Sequence, residues 1–113
     1  MITSTIIATS YALPANRLTQ AELIQRFGEK AVNSIAKMSG IKERRVVASG
    51  QCASDLALSA ASRLIKHHNI DRKTIDLLTF ASQTPDYKIP STASVLHGKL
   101  KLSEGCCTFD INQ

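Results

Sequence analysis

The sequence predicts an α/β fold in which helices are layered on a mixed, mostly parallel sheet. Three observations carry that expectation. Residues 75–82 (IDLLTFAS) are short and almost wholly apolar, the pattern of a strand buried on both faces of a parallel sheet. Residues 54–68 place Leu56, Ala57, Ala60, Ala61, Leu64 and Ile65 on one stripe at helical spacing, and the alanines let such a helix lie close against a sheet. Residues 91–101 and 107–111 then supply a helix and a second short apolar strand, so that 75–111 reads as a βαβ unit with a right-handed crossover.

The other elements follow in chain order. Residues 2–11 are rich in Ile and Thr and read as a strand. Leu13-Pro14-Ala15-Asn16 reads as a turn. Thr19-Gln20-Ala21-Glu22 is a capping box, which opens a helix running to about residue 27. A second helix is expected over 29–38, with Ala31, Ile35 and Met38 on one face and Gly40 as a left-handed terminal cap. Residues 44–48 are β-prone. Ser54 or Asp55 can cap the alanine-rich helix and Asn69 can end it. Ser91 can cap the helix after Pro90, which turns Ala93, Leu96 and Leu100 inward.

Composition narrows the functional classes. The chain has 113 residues, room for one core or a piece of a larger domain, and a formal net charge of +5. The charges are scattered apart from Lys42, Arg44 and Arg45, and no aromatic side chain interleaves with that cluster. This is a solvated face or a surface for an acidic partner rather than a nucleic-acid interface. The N-terminus lacks the basic-then-apolar pattern of a secretory leader, and no stretch nears the roughly 20 apolar residues of a membrane span. Cys52, Cys106 and Cys107 form no disulfide framework, which points to a reducing, cytoplasmic setting, and they complete no zinc site; no metal and no cofactor are expected.

The reactive residue types read blandly. Cys106 and Cys107 fall at the start of a strand, as small buried residues, and Cys52 precedes a helix with no base in view. His67 and His68 suit the negative end of a helix dipole, His97 is a surface or satisfied histidine, and Asp110 is structural. No glycine-rich phosphate loop follows a strand, which argues against a free-standing nucleotide-binding domain. The last strand reaches the final residues, and few helices are available to cover both faces of a buried sheet. The layered fold is therefore expected to be incomplete.

Five segments occur in the order and with about the spacing of one known family. They are Ser10-Tyr11-Ala12-Leu13-Pro14, Ser39-Gly40-Ile41-Lys42-Glu43-Arg44-Arg45, Ala60-Ala61-Ser62-Arg63-Leu64-Ile65, Ile89-Pro90-Ser91 and Phe109-Asp110-Ile111. Together they resemble the N-terminal portion of the β-ketoacyl-acyl carrier protein synthase III family. The resemblance implies a partial thiolase-like fold, with residues 1–113 ending just before the catalytic cysteine. It implies a decarboxylative Claisen condensation of an acyl thioester with malonyl-acyl carrier protein, in fatty acid or polyketide-type biosynthesis. The partners it implies are acyl carrier protein, an acyl thioester and a second copy of the enzyme. In that chemistry a cysteine thiolate takes up the acyl group, and histidine and asparagine side chains stabilise the enolate formed when carbon dioxide leaves. None of these three residues falls within 1–113, so the chain is expected to have no catalytic residue and to be inactive alone. The alternative is a non-catalytic split subunit that supplies an interaction or dimerisation surface. By the same resemblance, Ile89 is a substrate-binding residue that enters the acyl pocket of the partner protomer. Ser34 and Met38 stand where the family holds coenzyme A adenine with Trp and Arg, which favours a donor other than coenzyme A.

Overall fold

The computed structural model describes residues 3–112. They divide into two compact units: Leu13–Gln51, and the flanking segments up to Ala12 and from Cys52 onward.

In the Leu13–Gln51 unit, β1 (Asn16–Thr19) pairs antiparallel with β2 (Glu43–Val46), with Arg17 opposite Arg45 and Leu18 opposite Arg44. The expected turn at 13–16 meets β1 only at its last residue, Asn16, after a bend at Ala15. That strand was illegible because only Leu18 in it is half-buried, so no alternation marks it. Helix α1 (Gln20–Phe27) begins at the expected capping box. The Thr19 amide donates to Glu22 Oε2 at 2.7 Å, and the Glu22 amide donates to Thr19 Oγ1 at 3.3 Å. Helix α2 (Glu29–Ser39) ends at Gly40, whose φ of 70° puts it in the left-handed region a side chain resists. The face expected to be inward is not. Ile35 and Met38 are 53% and 83% exposed, while Val32 is buried and Ala36 half-buried. Helices α1 and α2 are in contact, and the most buried positions of α2, Val32 and Ala36, lie one residue around from the predicted stripe.

The hydrogen bond from the Thr19 amide holds the Glu22 carboxyl below the usual carboxylate range, with the Thr19 hydroxyl adding to the effect. A carboxyl depressed in the folded state stabilises above its unfolded pKa and loses that contribution as pH falls through its folded value. Helix α1 should therefore fray on acidification through and below the ordinary glutamate range. Amide exchange of residues 20–24, compared with Glu22→Gln, checks this: the variant should be insensitive to pH over the same window.

In the other unit, α3 (Ala53–His67) is followed by a 3₁₀ turn at Arg72–Thr74 and then by β3 (Leu77–Ala81), α4 (Thr92–Leu100) and β4 (Cys107–Ile111). Strands β3 and β4 are parallel and in register from Leu77–Cys107 to Ala81–Ile111, so the predicted βαβ unit is present. Ala93, Leu96 and Leu100 point inward as expected, at 0%, 3% and 5% exposure. Phe80, Ala93 and Leu96 form one cluster with Ala57 and Leu58, and Ile65, Leu100, Leu102 and Cys106 form the other. The N-cap of α3 is Cys52, not Ser54 or Asp55. Asp55 instead reaches back to accept from the Cys52 amide at 2.9 Å. Asn69 ends the helix with a φ of 50°.

Two expectations fail here, for one reason. The strand at 75–82 is covered on one face, not both, and residues 3–12 form no strand. Ile2 lies outside the described residues. On the open face of β3 and β4 stand Leu77, Thr79 and Ala81 beside Cys107, Phe109 and Ile111, all exposed. Ile6 and Ile7 are likewise 84% and 91% exposed. A parallel sheet needs a second layer, and a strand needs a neighbour to satisfy its amides. Among the described residues neither is supplied. The sheets are also two separate pairs, one antiparallel and one parallel, rather than one mixed sheet. No described helix is long and apolar enough to cross a membrane.

Candidate functional site

Ligands of parallel α/β sheets bind beyond the carboxyl ends of the strands. Here those ends are Ala81 and Ile111, and with Ser82 and Gln83 they line a shallow depression. Two features build this edge. The Ser82 amide donates to the Ile111 carbonyl at 2.9 Å, which extends the pairing past β3. Asp110, on the covered face of β4, accepts from the amides of Thr92 and Ala93, both at 2.7 Å. These are first-turn amides of α4 with no partner inside the helix, so the carboxylate locks the crossover helix to the strand end. Asp110 is thus structural, as its sequence context suggests.

A second carboxylate acts the same way. Asp86, in the loop between β3 and α4, accepts from the amide of the buried Ser54 at 3.1 Å and ties that loop to the start of α3. Sequence reasoning missed this contact, because nothing local links positions 32 apart. Farther along the loop, the Ile89–Pro90 bond is cis and Ile89 is 92% exposed. A large apolar side chain held out in this way makes little use of its hydrophobicity within the chain itself.

Thr92 was also missed. Its side chain is fully buried and its hydroxyl has no hydrogen-bond partner among the described residues. A buried orphan hydroxyl costs free energy that an isosteric methyl does not. Thr92→Val should therefore be neutral or stabilise the chain by up to about 1 kcal/mol, measured by urea unfolding. A loss of similar size would mean that the hydroxyl has a partner.

The three cysteines are free and differ in burial. Cys106 is 7% exposed among Ile65, Leu100 and Leu102, and burial raises its thiol pKa, which favours the protonated form. Cys107 is not the buried residue expected: it is exposed, opposite Leu77 at the amino end of β4 on the open face. Cys52 is exposed at the start of α3. The histidines are engaged elsewhere. His97 Nε2 donates to the Ser103 carbonyl at 2.9 Å, and the His67 and His68 rings meet edge to face at the end of α3, centroids 5.0 Å apart. Among the described residues no three His, Cys, Asp or Glu side chains gather as a metal site would require. In the Leu13–Gln51 unit, Ser34 and Met38 lie exposed on α2, and Lys42, Arg44 and Arg45 lie on or beside β2.

No family model matches the chain. Individual relatives do. It is 38% identical over 106 residues to the β-ketoacyl-[acyl-carrier-protein] synthase III of Neisseria meningitidis, covering 94% of this chain and 33% of the relative. A crystal structure of 3-oxoacyl-(acyl-carrier protein) synthase from Burkholderia xenovorans superposes with a TM-score of 0.84 at 34% identity, covering 94% of this chain and 31% of that one. Cerulenin-bound OleA from Xanthomonas superposes with a TM-score of 0.76 at 31% identity, over 91% of this chain and 32% of OleA. The chain thus spans about a third of the length of the relatives it matches. Over that third it is similar in sequence, and in its partial thiolase-like α/β fold, to the β-ketoacyl-acyl carrier protein synthase III enzymes, of which it is a homologue.

Proposed function

We propose that residues 1–113 serve as the N-terminal portion of a condensing acyltransferase, which joins an acyl thioester to a malonyl unit on acyl carrier protein. On this reading they form one part of a single thiolase-like domain that ends just before the reactive cysteine. The observation that carries it is the apolar face of β3 and β4, which stands open in a chain matching only a third of each relative. In this role the 113 residues are scaffold. They set the strand ends beside which the nucleophile stands, Asp110 holds α4 against those ends, and the cysteine, histidine and asparagine come from the rest of the enzyme. The chain alone is inactive. Its intact form is a cytoplasmic homodimer that takes the acidic carrier protein as its partner.

Ile89 is the substrate-facing residue of this portion. Its near-complete exposure supports a role outside its own chain, in the acyl pocket of the opposite protomer. Pocket depth discriminates a methylene by roughly 1–3 kcal/mol, so Ile89→Trp should shift preference toward shorter acyl groups by tenfold or more and leave the fold intact. The exposed Ser34 and Met38 offer no ring or guanidinium to a nucleotide, which supports an acyl donor other than coenzyme A.

The test is to read the gene beyond codon 113, express the whole frame and trap the acyl-enzyme by mass spectrometry. A downstream cysteine within a few residues that carries the acyl group supports the proposal. A frame that stops after Gln113 replaces it with the split-subunit reading, in which the open sheet binds another chain.

A further inference from the structure

The β1–β2 ribbon turns its two faces to different surroundings. Arg17, Glu43 and Arg45 share one face, where the Glu43 carboxylate lies 3.6 Å from Arg17 Nη1 and 3.7 Å from Arg45 Nε. Arg45 also donates to the Pro14 carbonyl at 3.2 Å. Leu18 and Arg44 are cross-strand partners on the other face. Arg44, with α1 and α2, borders a cleft of about 330 Å³ whose walls include Leu23, Phe27, Val32, Ala36 and Ile41. Arg44 is half-buried there, and among the described residues it makes no ion pair and no side-chain hydrogen bond. Its neighbours on the ribbon share a counter-ion, and Arg44 turns toward hydrocarbon without one. Drawing a guanidinium partly out of water beside apolar walls is unfavourable unless a partner compensates it. The nearest carboxylate in sequence, Glu43, faces away and is already shared.

We infer that this cleft is the docking site of an apolar polypeptide segment bearing one carboxylate, which pairs with Arg44. The segment comes from the part of the condensing enzyme outside residues 1–113, so the inference rests on the proposed function. Two observations select that occupant. The guanidinium fork takes a carboxylate in a bidentate pair while the walls take its apolar neighbours. The relatives are also long enough to supply the segment, because this chain spans only about a third of them. Arg44 is thereby a positioning residue: it holds the α1–α2 hairpin against the enzyme and touches no reacting atom.

The experiment labels arginines with phenylglyoxal in the 113-residue chain and in the protein from the whole reading frame, using Arg17 as internal reference. Arg44 should react roughly tenfold or more slowly, relative to Arg17, in the longer protein, the ratio one good charge-assisted pair provides. Arg44→Lys in the longer protein, treated with a carbodiimide, should then cross-link to an Asp or Glu beyond position 113. Equal reactivity of Arg44 in both proteins overturns the inference and leaves the proposed function standing, provided the downstream cysteine is acylated. So does protection without a cross-link, or a cross-link confined to residues 3–112. Protection of Arg44 in the short chain by decanoate alone assigns the cleft to a small amphipathic acid and also overturns it. A frame that stops after Gln113 removes both readings together.

Discussion

Replacing Asp110 with alanine is expected to cost about 3 kcal/mol and to release α4 from the sheet. The carboxylate accepts two 2.7 Å hydrogen bonds from amides that have no partner inside the helix, and it is half-buried against the start of α4. A hydrogen bond to a charged group contributes about 1.5–3 kcal/mol, and the low end applies twice here because solvent still reaches the site. Truncation also leaves the Thr92 amide unpaired next to a hydroxyl that already lacks a partner. Asp110→Asn keeps one acceptor oxygen and should lose about half as much. Asp86→Ala, which breaks a single 3.1 Å bond, should cost about 1 kcal/mol. Urea unfolding followed by far-ultraviolet circular dichroism ranks the three. Amide exchange should show protection lost first in residues 92–100 of the Asp110 variant. An Asp110→Ala chain within 0.5 kcal/mol of the parent would mean the clamp is not what joins helix to strand.

The second large effect concerns the open face of the sheet. Leu77, Phe109 and Ile111 are 56%, 59% and 46% exposed on one side of β3 and β4, an apolar surface of the kind that drives association. The 113-residue chain should therefore self-associate in sedimentation experiments at tens of micromolar. Phe109→Asp should weaken that association by a hundredfold or more, because it places a charge with no partner at the centre of the contact. Phe109 is mostly outside the core, so the variant should unfold within about 1 kcal/mol of the parent. A parent chain that sediments as a clean monomer at high concentration would contradict the claim that this face is made to be covered.

Where the sequence was legible, the signal lay in a local rule. The Thr19–Glu22 capping box, the Gly40 cap, the Ser91 start of α4 and the bounds of β4 depend on residues within a turn or two of one another, and all appear in the structure. The inward stripe of α4 was also legible, because Ala93, Leu96 and Leu100 pack against a sheet within the same unit. What failed needed information from elsewhere. Residues 3–12 have strand composition but no strand beside them, and 75–82 has the composition of a doubly covered strand with only one layer over it. Those residues are written for surroundings that the described chain does not supply. Asp86 and the orphan hydroxyl of Thr92 were invisible for another reason. Each depends on a contact between distant positions, or on the lack of one, and no spacing rule encodes that.

The site followed the same division. The strand end carrying Phe109-Asp110-Ile111 was placed from sequence and is found on β4, whereas Cys107 was expected inside and stands outside. Strand alternation explains the difference. Asp110 faces α4, so Cys107, an odd number of residues away, faces the open side.

The most direct measurement incubates the folded 113-residue chain with acyl-coenzyme A and with acyl-carrier-protein thioesters, then weighs it intact. The account predicts no acyl adduct above that of a denatured control, because Cys106 is buried and protonated and the carboxylate beside Cys52, that of Asp55, is taken up in capping α3. A stoichiometric adduct that turns over, and that is lost on replacing Cys52, Cys106 or Cys107, would place the nucleophile inside these residues and contradict the account.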